Sequence, residues 1–274
     1  MNLVVVVQAR ASSTRLPGKI FMDLCGAPLL VRMLERLKAC KTPFTLVVAT
    51  TDDPADDQIP ALAAQASVAC VRGHPTDLLE RHLTAARAFS ADAVAKIPSD
   101  CPLIDPRVVD RILGTFVEAN GAYEYVSNLH PATWPDGYDV EVMSMDALER
   151  AGREATRPHE REHTTPYLWD EQGRFRCHNV AWDRDLSMTH RLTIDYAEDY
   201  ALIKAVYEAL YRPEGEAFSL DQILALLDAR PDLYALNAHL SGVNWYRHHL
   251  DELQTIDVSR TRWTAAEQAQ GGAR

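Results

Sequence analysis

The feature that most constrains this chain is the uninterrupted, largely β-branched run Leu3-Val-Val-Val-Val7. A strand that is apolar at every position needs cover on both faces, as in the centre of a parallel sheet. Parallel strands need crossovers, and the sequence supplies them. Pro28 to Cys40 carries Leu29, Leu30, Met33, Leu34 and Leu37 at helical spacing, with Pro28 placed to open the helix. The alternation continues through strand Phe44 to Thr50, helix Ala55 to Gln65, strand Val68 to Val71, helix Thr76 to Phe89, strand Ala93 to Ile97 and helix Pro106 to Ala119. This spacing predicts an α/β fold with a doubly wound, mostly parallel sheet. In such sheets ligands bind at the carboxyl ends of strands. Two polar segments fall there, one beginning at Gln8 and the other at Ser99-Asp100.

The second half is less regular. Tyr123 to Asn128 and Val140 to Met143 read as strands around the turn Trp134-Pro135-Asp136-Gly137, Arg191 to Ile194 as a short strand, and Ala147 to Ala155, Asp199 to Leu210 and Leu220 to Ala229 as helices. The polar residues Gln268 to Arg274 are expected to fray. No internal repeat is visible.

Composition narrows the class. With 274 residues, 47% hydrophobic and 24% charged, the chain can bury a large core as an ordinary soluble enzyme does. The Leu3 to Val7 run is far too short to span a membrane and has no basic leader around it. The five cysteines are scattered and never paired as Cys-x-x-Cys, which argues against a disulfide framework or a thiolate zinc site. Reduced thiols, a cytoplasmic location and no membrane partner are the expectation. The net charge of -11 disfavours nucleic acid as a partner. A small polyanion needs only a few local cations, and Arg10, Arg15 and Lys19 cluster in one loop.

That loop, Gln8-Ala-Arg-Ala-Ser-Ser-Thr-Arg-Leu-Pro-Gly-Lys19, comes directly after the first strand. Small residues such as Ala9 and Ala11 let a phosphate approach unpaired backbone N–H groups while the cations neutralise it. By composition alone it is equally readable as a solvated basic loop. It is not the Gly-rich loop of ATPases, whose Gly-x-x-x-x-Gly-Lys-[Ser/Thr] pattern is absent.

Ala-Arg-x-x-Ser-[Thr/Lys]-Arg-Leu-Pro-Gly-Lys after a first strand resembles the signature of the cytidylyltransferases that make CMP-activated sugar acids. The likeness is closer to the spore coat polysaccharide biosynthesis protein F branch. It continues through Gly73, Asp77-Leu-Leu-Glu-Arg81, Asp100-Cys-Pro-Leu-Ile-Asp105, Pro135-Asp-Gly-Tyr-Asp-Val-Glu141, Glu160-Arg-Glu-His-Thr-Thr-Pro166 and Leu192-Thr-Ile-Asp-Tyr-Ala-Glu-Asp199, in order over roughly residues 3 to 240. The resemblance implies a Rossmann-like nucleotidyltransferase domain over 1–242, with an inserted β/α acceptor and dimerisation element at about 129–185 and a C-terminal extension at 243–274. It further implies a homodimer. Gln8, Ala9, Arg10, Arg15, Lys19, Gly73, Asp77 and Ser99 would contact the nucleotide, CTP.

Moving a nucleotidyl group means attack on an α-phosphorus crowded by negative charge, and Mg2+ held by one or two carboxylates offsets it. The resemblance assigns the metal to Asp100 and Asp195, with Arg15 and Lys19 completing the catalytic set. Read without it, Asp195 is also a helix cap, a role for which Asp199 competes. Where close relatives carry Arg-x-Thr-Gly-Asp, this chain has Lys96-Ile-Pro-Ser-Asp100, which loses a bidentate fork. Triphosphate binding is therefore better supported than preference for cytosine.

The acceptor, a sugar acid or related sugar, is expected at Asp136, Asp139, Glu141, Arg161, Glu162 and His163, with Arg161 the candidate partner of an acid group. The alternative for the Glu160 to Thr164 cluster is an interface or cap. No residue stands out as a general base. His159 and His163, at i, i+4, need converging ligands before they can hold zinc. His248-His249 fall near an expected surface helix. Trp134, Trp169, Trp182 and Trp245 read as dispersed packing residues. The resulting expectation is transfer of CMP to a sugar acid for surface glycans. Its competitors are a same-fold transferase using another nucleotide or a phosphorylated acceptor, and a non-catalytic nucleotide-binding partner.

Overall fold

The structure is a computed structural model and describes residues 1–269. Most of the tail expected to fray, residues 270–274, lies outside the described residues, while Gln268 sits in a short terminal helix. In chain order the strands are β1 (Leu3–Gln8), the small hairpin β2 (Asp23–Leu24) and β3 (Ala27–Pro28), β4 (Thr45–Thr51), β5 (Ala69–Gly73), β6 (Ala93–Pro98), β7 (Tyr125–Ser127), β8 (Glu141–Ser144) and β9 (Cys177–Asn179). The helices are α1 (Leu29–Lys38), α2 (Ile59–Gln65), α3 (Leu78–Ala88), α4 (Pro106–Glu118), α5 (Met145–Glu154), α6 (Pro158–His163), α7 (Pro166–Trp169), α8 (Ala197–Leu210), α9 (Leu220–Ala229), α10 (Pro231–Tyr234) and α11 (Ala265–Ala269).

Seven strands form one sheet in the order β5-β4-β1-β6-β8-β7-β9, and β8 alone runs against the rest. The side chains of β1 account for its interior place. Val5 and Val7 pack with α1 and α4 residues such as Leu30 and Ile112, whereas Val4 and Val6 pack on the other face with Leu79 and Leu83 of α3. All four valines have no exposed surface. Burying each side chain fully is worth roughly 1.5–3 kcal/mol, so the strand has no stable place at a sheet edge.

The expected strand at Arg191 to Ile194 does not form. Leu192 donates its N–H to Asp136 O (2.7 Å) and Ile194 to Asp100 O (2.9 Å), so the segment is bonded to two loops and has no ladder to join. The consequence is useful, because those loops are thereby drawn together. Gly137 lets the turn close at φ 99°, where a Cβ would stand 2.5 Å from the Leu192 carbonyl carbon. Residues 129–185 contribute β8 and β9 to the sheet, with α5, α6 and α7 beside them; no apolar period marks β9, α6 or α7 in the sequence. Thr164, at φ 73°, separates α6 from α7.

Beyond residue 243 the chain runs as a strap of short 3-10 turns, Trp245–His248 and Val258–Arg260. Tyr246 and Leu253 are buried in the core on the α3 side of the sheet. Asp170, 3% exposed, accepts the N–H groups of Gln254 (2.8 Å) and Thr255 (3.0 Å) and so fastens the strap to the end of α7. No helix among the described residues is long and apolar enough to cross a membrane. All five cysteines are free thiols.

Candidate active site

A cavity of about 1000 Å3 opens past the carboxyl ends of β1 and β6, roofed by the strap. The loop after β1 is built to face it. Ala9 N–H continues the sheet to Ala49 O (3.0 Å), and Ala11 N–H donates to Asp56 Oδ1 (2.6 Å). Asp56 is itself buried and accepts the Thr51 hydroxyl. Gly18, at φ 71°, donates back to Ala11 O (3.0 Å), which closes the loop and turns Lys19 inward.

Lys19 is 8% exposed, and its ammonium lies among three oxygens: Ile194 O at 2.7 Å, Asp195 Oδ1 at 3.0 Å and Asp100 Oδ2 at 3.4 Å. Burial alone would lower its pKa, but the two carboxylates outweigh burial and raise it, so the charge is held. Arg15 Nη2 reaches Asp195 Oδ2 at 2.7 Å. Arg10 lines the same wall and has no hydrogen-bond or ion-pair partner among the described residues. Gln8, Ser99 and Asp100 complete this end.

The ambiguity over Asp195 resolves in geometry. Asp199 accepts the backbone N–H groups of Asp195 (2.9 Å) and Tyr196 (3.0 Å), so it caps α8 and leaves the Asp195 carboxylate to the cations. Between them sits Arg191, whose role the sequence did not announce. Nearly fully buried, it binds Asp199 (2.9 Å), Asp136 (2.9 Å) and Asp195 (3.2 Å) and donates to Val243 O (2.8 Å). An Arg directly before Leu-Thr-x-Asp was the available signal.

Charge is not balanced here. Burial pushes Asp136 up to about 7, with Asp195, Asp100 and Asp199 adding to the effect against Arg191. Burial, Asp136 and Asp100 raise Asp139 well above the carboxylate range. Asp195 goes the other way: burial would raise it, yet Lys19, Arg15 and Arg191 hold it down at about 2. A site in which carboxylates retain protons for want of positive charge suits an added cation, and clustered hard oxygens suit Mg2+.

The other end of the cavity is largely aromatic. Trp169 stacks on His130 at 3.7 Å and Trp245 on His163 at 3.8 Å, and burial pushes both imidazoles down to about 3. Trp134 lines the cavity and stacks on Trp182 at 4.9 Å. Trp134 with Trp182, and Trp169 with Trp245 (6.4 Å), are thus gathered in pairs, a correction to the dispersed reading. His248 and His249 also line the cavity, at a 3-10 turn of the strap instead of a surface helix. Glu141 faces this end from β8, paired with Lys96 (2.5 Å) and the Tyr125 hydroxyl (2.6 Å); Asp139, Glu162 and His163 also line the cavity, and Asp136 lines it beside Arg191.

Four expected site residues lie outside the cavity. Arg161 donates to Asp77 Oδ2 at 2.5 Å and to Gly152 O and Ala155 O, so it ties α6 to α3 and α5 and faces no acceptor. Asp77 caps α3 through Glu80 N–H (2.9 Å) and holds Arg161, so each of its carboxylate oxygens has a partner. Gly73 ends β5 against Arg81, its would-be Cβ 3.3 Å from Arg81 Cγ. Ala9 is fully buried and its N–H is used by the sheet.

Known proteins resemble this arrangement. The family model described as Cytidylyltransferase matches residues 4–223. An uncharacterised protein of Methanocaldococcus jannaschii is 30% identical over 243 residues, covering 88% of this chain and 96% of its own length. Spore coat polysaccharide biosynthesis protein SpsF of Bacillus subtilis is 29% identical over 238 residues, covering 84% of this chain and 96% of its own. A cytidylyltransferase structure from Leptospira borgpetersenii superposes with a TM-score of 0.81 at 33% identity, over 85% of this chain and 97% of that one.

Proposed function

Because this chain belongs to the cytidylyltransferase family, we propose that it transfers CMP from CTP to a sugar acid or related sugar for surface glycan synthesis. The observation that carries this reading is the Lys19 ammonium lying between Asp100 and Asp195, with Arg15 beside it and Arg10 unpaired among the described residues. The acceptor oxygen forms a bond to the α-phosphorus, the bond to the bridging oxygen breaks, and pyrophosphate leaves. Lys19 and Arg15 stabilise charge on the phosphates, and Arg10 binds the outer ones. Asp100 and Asp195 would hold Mg2+, which when bound offsets the triphosphate charge. Asp136, whose carboxylate lies in the same cluster, takes the acceptor's proton.

Asp139, Glu162 and His163 bind acceptor hydroxyls. With Arg161 turned away, the acid group falls to Arg260, which lines the cavity with Asp185 3.7 Å from its guanidinium. The protein works in the cytoplasm as a homodimer. The name of the Bacillus subtilis relative supports the glycan context, and the family supports the transfer. The test is pyrophosphate release from CTP and Mg2+ with a panel of sugar acids and neutral sugars. Release with a sugar acid is expected, and absence of release with every acceptor and every nucleotide contradicts the reading.

One observation favours a second reading. Lys96 lines the cavity but its ammonium is held by Glu141 at 2.5 Å, so transfer from a different nucleoside triphosphate is the alternative. Thermal shifts with the four triphosphates separate the two: CTP should give the largest, and a larger shift with another favours the alternative.

A further inference from the structure

The strap and α6 meet at a cluster that the transfer chemistry does not use. His159 Nδ1 lies 2.9 Å from Glu252 Oε2, and His249 Nδ1 lies 2.9 Å from Glu252 Oε1. One donor atom from each of the three side chains lies within 4.8 Å of the others. Two donors bound to one small cation at roughly 2.0–2.1 Å stand about 3 Å apart, so these separations need little adjustment to close on a metal. The His159 side chain has no exposed surface, and its Nε2 has no partner, so the ring's one polar contact is made at this cluster. Glu252 is 45% exposed and His249 23%, which leaves a way in from solvent.

From this geometry we propose that His159, His249 and Glu252 form a site for a divalent transition metal of zinc's class, which pins the C-terminal strap to α6. Two imidazoles and one carboxylate are a donor set that suits zinc and that Mg2+ avoids. The site is therefore chemically separate from the all-oxygen cluster at Asp100 and Asp195. His249 also lines the cavity, so the site adjoins it. The sequence spacing of His159 and His163 pointed at zinc only if further ligands converged. They do, but on His159 alone, and from a strap beyond the residues 4–223 that the family model matches.

The test uses the full chain stripped with chelator and titrated with Co2+, then Zn2+, in excess Mg2+. The expected result is one equivalent of cobalt with the strong visible absorption of a low-coordinate nitrogen-oxygen site, displaced by zinc. His249→Gln and Glu252→Gln, both at partly exposed positions, should abolish the absorption and weaken zinc by more than the roughly ten- to hundredfold that loss of an outer partner costs. Asp100→Asn should leave the absorption unchanged. Zinc should also protect the strap from limited proteolysis in the parent and not in the variants. The wild-type spectrum needs no variant to fold, so weak octahedral absorption alone overturns the proposal. Absorption lost in Asp100→Asn and kept in His249→Gln overturns it equally, by placing the metal elsewhere.

Discussion

The two ends of the cavity are built from opposite materials. At the β1 and β6 end, Lys19, Arg15 and Arg191 are threaded among Asp100, Asp136, Asp195 and Asp199 at 2.7–3.4 Å, so nearly every contact is between charges. At the strap end, Trp169 over His130 and Trp245 over His163 offer flat, neutral surfaces. Charge that is buried and paired fixes geometry and penalises any lost member; stacked neutral rings are worth about 0.5–1.5 kcal/mol a pair and tolerate change. Under the proposed function, the difference matches two tasks. An end that must stabilise a triphosphate needs fixed charge, whereas one that selects an acceptor needs shape and a few polar groups.

Breaking the charged end should have the largest effects. Arg191→Met removes the shared partner of three carboxylates and should cost about 3–5 kcal/mol in denaturant unfolding, because buried charges are left uncompensated. A cost below about 1 kcal/mol would mean the network is slack. Lys19→Ala should lower kcat/KM for the nucleotide about 10²–10³-fold in a pyrophosphate assay, the scale for losing one transition-state donor. A change confined to the acceptor KM would reverse the assignment of the ends.

The unbalanced charge gives a pH test of intermediate size. Asp136 folds with its pKa near 7, above the ordinary value of about 3.9, so the native state holds a proton that the unfolded chain has released between those values. Stability should then fall as pH rises from about 4 to about 7. Asp195, lowered to about 2, contributes in the opposite sense only as pH falls below about 4. Melting temperature against pH, with and without Mg2+, should show the decline and its relief by the ion. A profile that rises through this window would show that Asp136 is ionised at little cost.

The aromatic end should respond less. Trp245→Leu should raise the acceptor KM about three- to tenfold while leaving the nucleotide KM unchanged, by loss of one stacked wall. Smallest of all, Arg161→Gln should cost about 1 kcal/mol of stability and leave turnover intact, since its partner is the capping Asp77. A selective loss of acidic acceptors in that variant would restore Arg161 to the site.

The charged end was the more legible in the sequence, for a physical reason. Gln8 to Lys19 and Ser99-Asp100 each come directly after a strand, so a local apolar pattern places them at the sheet's carboxyl edge. Asp195 was legible as a residue but not as a geometry, because its freedom depends on Asp199 four positions on. The strap was invisible because its anchors are distant: Asp170 with Thr255, and His159 with Glu252, are 85 and 93 residues apart. The same blindness placed Arg161 in the acceptor site, since its partner Asp77 is 84 residues away.

The loop after β1 and the carboxylates of Asp100 and Asp195 are proposed to make one nucleotide site. Calorimetry of CTP binding with and without Mg2+, on the parent and on Asp100→Asn, tests it most directly. The expected result is binding that Mg2+ strengthens in the parent, with most of that strengthening lost in Asp100→Asn. No CTP binding in the parent at any Mg2+ concentration, or an equal Mg2+ effect in both proteins, would contradict it.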